Sequence, residues 1–326
     1  MLAYASRRLL LGLITLLLVS FVVYGLIRAM PGDPVTQELA LADDGFMVTR
    51  IEYEQMRRAF GLDKHWVAAY FEWLGKTASG DLGRSLQWRL PVSSLIRGAL
   101  GPTLLLSGVS LLLAYVLSIP LGLYAAHRSG KPDERALSAF LYMLYSFPSY
   151  VVAIFLLMIF GVQLGLLPLS GLRSPGHENL STAGRVWDVL THMALPVTCY
   201  TYGTLAYQAR FIRSSLAEVM RQDFIRTARA KGLSERTVLL RHAFPNTLIP
   251  FITMLGLSLP ALLGGSVILE RIFSWPGIGD LFLSAIGGRD YPLIMGLTMM
   301  FSVLIILGTL LADLLYALVD PRVSYT

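Results

Sequence analysis

A short polar segment in the last third of the chain has the residue types and spacing of a docking surface. Its sequence is Arg226-Thr-Ala-Arg-Ala-Lys-Gly232, and Pro245 follows thirteen residues after the glycine. A glycine and a proline at set positions favour a fixed turn over a flexible connection. The clustered basic side chains suit contact with a soluble macromolecule. We therefore expect this segment to receive a soluble partner.

Patterns that would indicate catalysis by this chain are absent from its sequence. Gly75-Lys76-Thr77 resembles the end of a phosphate-binding loop, but such a loop needs glycine at position 70, where the chain has tyrosine. No His-Glu-x-x-His or Gly-x-Ser-x-Gly motif occurs, and the five histidines are scattered. We expect no catalytic residue, no bound metal and no cofactor on this chain.

Composition places the chain in a membrane, since 55% of its residues are hydrophobic and 15% are charged. A spanning helix needs about 20 apolar residues. Five uncharged segments meet this length, and a sixth is interrupted by Asp313; they are 9–27, 98–126, 136–172, 189–209, 243–269 and 291–319. Backbone groups in lipid must be satisfied within the helix. The sequence thus predicts an all-α integral membrane fold with six transmembrane helices.

The run 136–172 is too long for one upright helix. Its glycines at 161, 165 and 171, with Pro168, predict that it leaves the membrane near residue 161 and ends in a re-entrant or interfacial turn. Cys199, the single cysteine, is expected to be a small packing residue.

Basic residues set the expected orientation, because short cytoplasmic loops hold an excess of Lys and Arg. The loop 210–247 alone holds eight, and further basic residues lie at 7–8, 128–135 and 322, so both termini are expected in the cytoplasm. This distribution accounts for the pI near 9.5 without nucleic-acid binding. The expected parts are a first helix in 1–30, an outer helical segment in 31–97, a five-helix core in 98–320 containing the loop 210–247, and a cytoplasmic tail in 321–326.

The outer segment begins at Pro31-Gly-Asp-Pro34 and contains two apolar stripes at helical spacing. Their members are Tyr53, Met56, Ala59 and Phe60 in the first, and Trp66, Ala69, Tyr70 and Trp73 in the second. We expect the stripes to pack against each other and on the outer membrane surface. The alternative is that their rim receives a soluble extracytoplasmic partner.

Few charged residues lie within the predicted spans or at their ends. Arg28 and Glu270, at the ends of the first and fifth predicted spans, are expected to reach the interface by extending their side chains. Asp313 is expected to have a structural role near the inner surface. Small residues in the fifth span, Pro260, Gly264 and Gly265, indicate either the lining of a path or close helix packing.

Within the loop 210–247, Leu216, Met220, Phe224 and Ala228 fall at intervals of four and predict one amphipathic helix. Gly232 is expected to end it in a left-handed cap, and Ser234 to cap a second helix. Pro245 is expected to restart the chain at the fifth span. Periodicity and charge also fit a helix lying on anionic lipid.

The same loop resembles the cytoplasmic signature loop of binding-protein-dependent ABC importer permeases. That signature reads E-A-A, three residues, Gly, nine residues, I-x-L-P. Arg226, Thr227 and Ala228 stand at its E-A-A positions, Gly232 at the glycine, and His242, Phe244 and Pro245 at I, L and P. The form R-T-A-R-A-K-G is typical of the dipeptide and oligopeptide branch, which includes nickel and glutathione importers.

Further segments resemble the same branch in the same order. They are Pro31–Pro34, Gly80-Asp-Leu-Gly-Arg-Ser85, Glu270-Arg-Ile-Phe-Ser-Trp-Pro-Gly-Ile-Gly279, Arg289-Asp-Tyr291 and Leu314-Leu-Tyr-Ala-Leu-Val-Asp-Pro321. The resemblance implies a type I ABC importer permease with an outer insertion after helix 1, located in the cytoplasmic membrane of a bacterium or archaeon.

The resemblance also implies partners. These are a homologous second permease, two ATPase subunits that bind ATP and Mg²⁺, an extracytoplasmic solute-binding protein and the membrane lipid. Arg226, Thr227, Ala228, Gly232 and Pro245 would transmit ATPase motion to the helices. The alternatives are an ion-driven secondary transporter, which would need several intramembrane carboxylates, and a membrane scaffold that does not transport.

Overall fold

A computed structural model describes residues 2–29, 63–248 and 267–319, with single positions at 54, 251, 254 and 258. Across these residues the secondary structure is helical, apart from one isolated bridge between Arg84 and Pro91. The helices are α1 (Leu2–Ala29), α2 (Trp66–Ala78), α3 (Val92–His127), α4 (Pro132–Ser146), α5 (Ser149–Leu156), α6 (Thr182–Val219), α7 (Asp223–Ala230), α8 (Glu235–Thr237), α9 (Val267–Ile272), α10 (Ile278–Gly287) and α11 (Tyr291–Val319). The predicted all-α fold is confirmed.

Three helices in the described part of the chain are long and apolar enough to cross a membrane, and a bent pair would make a fourth. They are Arg7–Ala29 in α1, all of α3, and Tyr291–Leu310 in α11. Helix α11 continues past Asp313 without a break. The count of six stays a prediction, because most of the fifth predicted span, including Pro260, Gly264 and Gly265, lies outside the described residues.

The bent pair is the third predicted span. Helices α4 and α5 meet at 94°, and the break falls at Phe147-Pro148, where proline removes a backbone donor. The Tyr202 hydroxyl of α6 donates to the Phe147 carbonyl at 2.7 Å. A π-helical turn, Leu157–Gln163, ends the helical run close to residue 161, where the sequence predicted its end. The bend itself was missed from the sequence.

The chain folds into two compact units, and the first contains residues 1–100 and 281–310. Within it, α2 packs against the second half of α1 through aromatic rings. Phe21 lies 5.0 Å from Trp66 and 5.1 Å from Tyr70, measured between ring centroids. The Tyr70 hydroxyl also lies 3.0 Å from the Ser20 hydroxyl. The stripe predicted from Trp66 therefore packs on helix 1. The stripe at 53–60 and the motif Pro31–Pro34 fall outside the described residues.

The second unit contains residues 101–280 and 311–324. Helix α6 is its longest element and contacts both α4 and α5. Close packing against α3 depends on Gly122, because a Cβ there would lie 2.6 Å from Cβ of Ile212. Cys199 on α6 is 2% exposed and packs with Leu195 and Phe273. The expectation that this cysteine is a packing residue is confirmed.

Candidate functional site

Between Leu216 and Ala228 the structure has the end of one helix and most of a second, where the sequence predicted one continuous amphipathic helix. Helix α6 ends at Val219, and a turn at 220–222 precedes α7. Gln222 is extended, with φ −71° and ψ 152°, and this breaks the four-residue repeat. Leu216 and Ala228 are buried as predicted, but Phe224 is 45% exposed. The prediction of a single amphipathic helix was wrong, because the turn rotates α7 to bury Ile225 instead.

Helix α7 has one buried side and one exposed side. Ile225 is fully buried and Ala228 is 5% exposed. They pack in a cluster with Tyr115 of α3, Ile212 and Leu216 of α6, and the segment that follows α8. On the other side Phe224, Arg226 and Thr227 are exposed. The inner side of α7 is therefore anchored on two long helices, and its outer side is open to a partner.

Gly232 ends α7 in the left-handed conformation that the sequence predicted, with φ +78°. The amide of Gly232 donates to the Arg229 carbonyl at 2.9 Å, and the amide of Leu233 donates to the Ala228 carbonyl at 3.4 Å. This pair of bonds is the Schellman motif. A Cβ at Gly232 would meet no atom within 4 Å. Glycine is therefore needed for its backbone conformation and not for space.

The turn after Gly232 is held by polar contacts. Ser234 caps α8 as predicted, because its side chain accepts from the Thr237 amide at 3.3 Å. Arg229 forms two hydrogen bonds to the Glu235 carboxylate, at 2.7 and 3.2 Å, and so connects the end of α7 to the start of α8. The hydrogen bond from Arg229 lowers the pKa of Glu235 below its usual 4.5.

The Arg229–Glu235 contact yields a small, pH-dependent prediction. Both side chains are about half exposed, so a double-mutant cycle with Arg229→Gln and Glu235→Gln should give a coupling free energy of about 0.5 kcal/mol. Because the folded pKa of Glu235 is lowered, this coupling is present above the unfolded pKa of 4.5 and is lost as pH falls through the folded value. Unfolding of the four proteins at neutral and acidic pH measures it. A coupling that persists in acid would contradict the assignment.

Pro245 lies inside a helix and does not restart the chain. Helix α8 continues into a π-helical turn, Val238–Ala243, and then into helical residues 244–248. The amide of Phe244 donates to the Leu239 carbonyl, five residues back. A π turn is wider than an α turn, and this local adjustment accommodates a proline that would otherwise clash with the preceding turn. The predicted restart at Pro245 was therefore wrong.

The residues predicted to transmit motion occupy different environments. Arg226 has a side chain 76% exposed and pairs with Asp223 at 3.3 Å. The Thr227 hydroxyl donates to the Asp223 carbonyl at 3.1 Å. Ala228 is buried, and Gly232 forms the cap. These four residues lie together on α7 and its end, while Pro245 follows the π turn. Ile225, which the four-residue repeat did not include, is the main apolar anchor.

Glu270 is buried, so the expectation that it reaches the membrane interface was wrong. It is fully buried in the second unit. The Thr103 hydroxyl donates to its Oε1 at 2.9 Å, and the amides of Gly279 and Asp280 donate to its Oε2 at 2.7 and 3.2 Å. Trp275, fully buried, donates from its indole to the Pro102 carbonyl at 2.9 Å. The motif 270–279 is thus a turn folded around its own glutamate.

Asp290 plays a comparable part in the first unit. It is fully buried, accepts from the Ser85 hydroxyl, and accepts from the amides of Gln87 and Leu293, both at 3.2 Å. It therefore joins two segments that are far apart in the sequence, 80–85 and 289–291. Their order along the chain was visible in the sequence, but nothing in the sequence indicated that they meet.

Comparison with known proteins supports the resemblance along the whole chain. The family described as "Binding-protein-dependent transport system inner membrane component" matches residues 118–325, and its N-terminal companion family matches residues 1–88. The oligopeptide transport system permease protein AppB of Bacillus subtilis is 38% identical over 326 residues, covering all of both chains. The glutathione transport system permease protein GsiC of Escherichia coli K12 is 35% identical over 327 residues, again covering all of both.

A solved structure shows the same fold at low sequence identity. The inward-facing methionine ABC transporter MetNI contains a chain that matches with a TM-score of 0.53 at 18% identity, over 70% of this chain and 97% of that one. The predicted type I importer permease fold is thereby confirmed.

Members of this family are transport subunits of the inner membrane and not enzymes, and their description implies an ATPase and a solute-binding protein as partners. The apolar helices of this chain fit a multi-pass protein of that membrane. With family matches over most of its length and relatives aligned from end to end, the chain belongs to the family of inner membrane permease components of binding-protein-dependent ABC transport systems.

Proposed function

We propose that this chain forms half of a translocation path with a homologous second permease, and that α7 receives the motion of a separate ATPase. The observation that carries the proposal is that α7 has one side packed in the protein and one side exposed. Its buried side is fixed in the same apolar cluster as α3 and α6, and its outer side presents Phe224, Arg226 and Thr227. A displacement of α7 would therefore move two long helices.

The mechanism follows from this packing. ATP and Mg²⁺ bind to two partner ATPase subunits, since this chain has no phosphate-binding loop. Closure of the ATPase dimer moves α7, and the cap at Gly232 holds α7 at a fixed angle to the helix that contains Pro245. The two permeases then alternate between inward and outward access. Such a shift requires that ATP and the loaded binding protein stabilise one state over the other.

The proposed orientation places α7 and both termini in the cytoplasm of a bacterium or archaeon. Eight basic residues in the loop 210–247 support it. The segment 31–97 would then lie outside the membrane, where the exposed side of α2 receives the solute-binding protein. The last residues, 321–326, form the proposed cytoplasmic tail.

We propose that the solute is a peptide or a related small molecule. The support comes from relatives named for the transport of oligopeptides and glutathione. The solute path is proposed to include Pro260, Gly264 and Gly265, whose small size permits a cavity between helices. Substrate choice is assigned mainly to the binding protein, which meets the solute first.

Site-directed crosslinking tests the coupling surface directly. Cys199 is buried, and its replacement by serine gives a background without cysteine. Phe224→Cys should crosslink to a P-loop ATPase in native membranes. The matched control is Val186→Cys, because Val186 is 56% exposed against 45% for Phe224 and lies near the opposite end of α6.

Mass spectrometry of the crosslinked product and of proteins that co-purify in mild detergent identifies the partners. A second permease and one or two ATPases support the proposal. Equal crosslinking from Val186 would contradict the assignment of α7 as the coupling surface. Recovery of the chain alone, under conditions that preserve other complexes, would support a secondary transporter or a scaffold.

A further inference from the structure

The first unit contains a cavity of about 510 Å³ that the proposed transport mechanism does not use. The second half of α1, one side of α2, the loop 81–86 and the start of α11 line it. Tyr24 and Trp73 form aromatic walls, and Pro292 and Met295 contribute apolar surface. Three basic side chains, Arg28, Lys76 and Arg84, also line the cavity.

The charges of the lining favour an anion. The acidic side chains of the lining are Glu72 and Asp81. Glu72 already pairs with Lys64 at 2.6 Å and with Lys76 at 3.3 Å, and Asp81 accepts the Gly83 amide at 2.9 Å. Arg84 has no carboxylate within salt-bridge distance among the residues that the structure describes. Its guanidinium is available for two hydrogen bonds to a phosphate.

The surroundings favour a lipid as the source of that anion. Tyr24 lies 5.9 Å from Trp73 and 5.6 Å from Tyr70, measured between ring centroids. Tyrosine and tryptophan gather at the level of lipid headgroups. The cavity also lies where the apolar span Arg7–Ala29 ends and the apolar span Tyr291–Leu310 begins, which is the level expected for lipid headgroups.

We propose that this cavity binds the headgroup of an anionic phospholipid, with its phosphate held by Arg84, with the positive charges of Arg28 and Lys76 adding attraction, and with its acyl chains in the bilayer beside the two spans. A lipid in this position would bridge α1, α2 and α11 within the first unit. The site is independent of α7, and its test does not depend on the solute or on the ATPase.

Native mass spectrometry of the importer complex tests the site, with phosphatidylglycerol as the probe. The wild-type complex is exchanged into nanodiscs of phosphatidylglycerol and phosphatidylcholine, and retained lipid is counted after mild activation. We expect retention of phosphatidylglycerol over phosphatidylcholine. A basic side chain near anionic lipid contributes about 1 kcal/mol, which corresponds to about fivefold in affinity. Arg84→Gln and Lys76→Gln should each lower retention by about this factor.

Arg97→Gln is the matched control, because Arg97 is exposed, lies in the same unit and does not line the cavity. It should retain phosphatidylglycerol like the wild type. Equal retention by all four proteins would overturn the proposal, as would displacement of the lipid by millimolar inorganic phosphate, which would indicate a site for a soluble anion. If the variants fail to assemble, absence of any preference in the wild type alone still rejects it.

Discussion

Replacing Gly232 with valine should abolish solute uptake while the protein remains in the membrane and its ATPase remains active. The residue has φ +78°, a conformation that costs most side chains about 1–2 kcal/mol and β-branched ones at the upper end. A strain of about 2 kcal/mol lowers the population of the native turn about thirtyfold. Uptake and ATP hydrolysis, measured together in proteoliposomes that contain the partner subunits, test this uncoupling.

Two control variants separate the turn from general strain. Gly232→Asn should retain most of the uptake, because asparagine tolerates the left-handed region and no atom lies within 4 Å of a Cβ at this position. Gly130→Val imposes the same kind of strain, since Gly130 has φ +84° and equally open surroundings. It lies in the turn before α4, outside the proposed coupling surface, and is therefore the control for backbone strain as such. If Gly232→Val transports normally, the proposed role of the cap is wrong.

Gly279→Ala should have the largest effect on folding, with little protein recovered in folded form. A Cβ at this position would lie 2.7 Å from the Cα of Val267 and 2.9 Å from Oε2 of Glu270. Backbone cannot move aside as a side chain can, and displacing the carboxylate would leave buried amides without an acceptor. Overpacking and lost hydrogen bonds each cost about 1–3 kcal/mol. Size-exclusion chromatography of a fluorescent fusion measures folded yield.

The control for this variant is Gly203→Ala. Gly203 lies within α6, and no atom outside the local helix lies within 4 Å of the methyl group that alanine would add. Alanine is favoured over glycine in a helix by about 1 kcal/mol, so this protein should be recovered at least as well as the wild type. Normal recovery of Gly279→Ala would show that the turn around Glu270 is more adaptable than its geometry indicates.

The sequence predicted those features that depend on local chemistry. Gly232 could be placed in a left-handed cap because few residues other than glycine adopt that conformation, and Ser234 could be placed at a helix start because its side chain replaces a missing hydrogen bond. Long apolar runs predicted α1, α3 and α11 for the same reason, since a membrane-spanning helix depends on the composition of one segment. The family could be predicted because several motifs along the chain resemble those of ABC importer permeases in the same order.

Features that depend on tertiary contacts were missed. The turn at Gln222 rotates α7 so that Ile225 meets α3 and α6, and a four-residue repeat read through that turn assigned Phe224 to the wrong side. Glu270 was expected at the interface because the sequence shows no partner for a buried carboxylate there. Its donors, the Thr103 hydroxyl and the amides of Gly279 and Asp280, come together only in the folded chain. Pro245 was read as a break because a π turn leaves no clear sequence signal.

The hydrogen bond from Tyr202 to the Phe147 carbonyl has a consequence for biogenesis. The donor comes from a helix that is synthesised 55 residues after the acceptor. An unpaired carbonyl is costly in lipid, so the break between α4 and α5 is completed only when α6 arrives beside it. We therefore expect α4 and α5 to stay in contact with the insertion machinery, or with water, until α6 has been made.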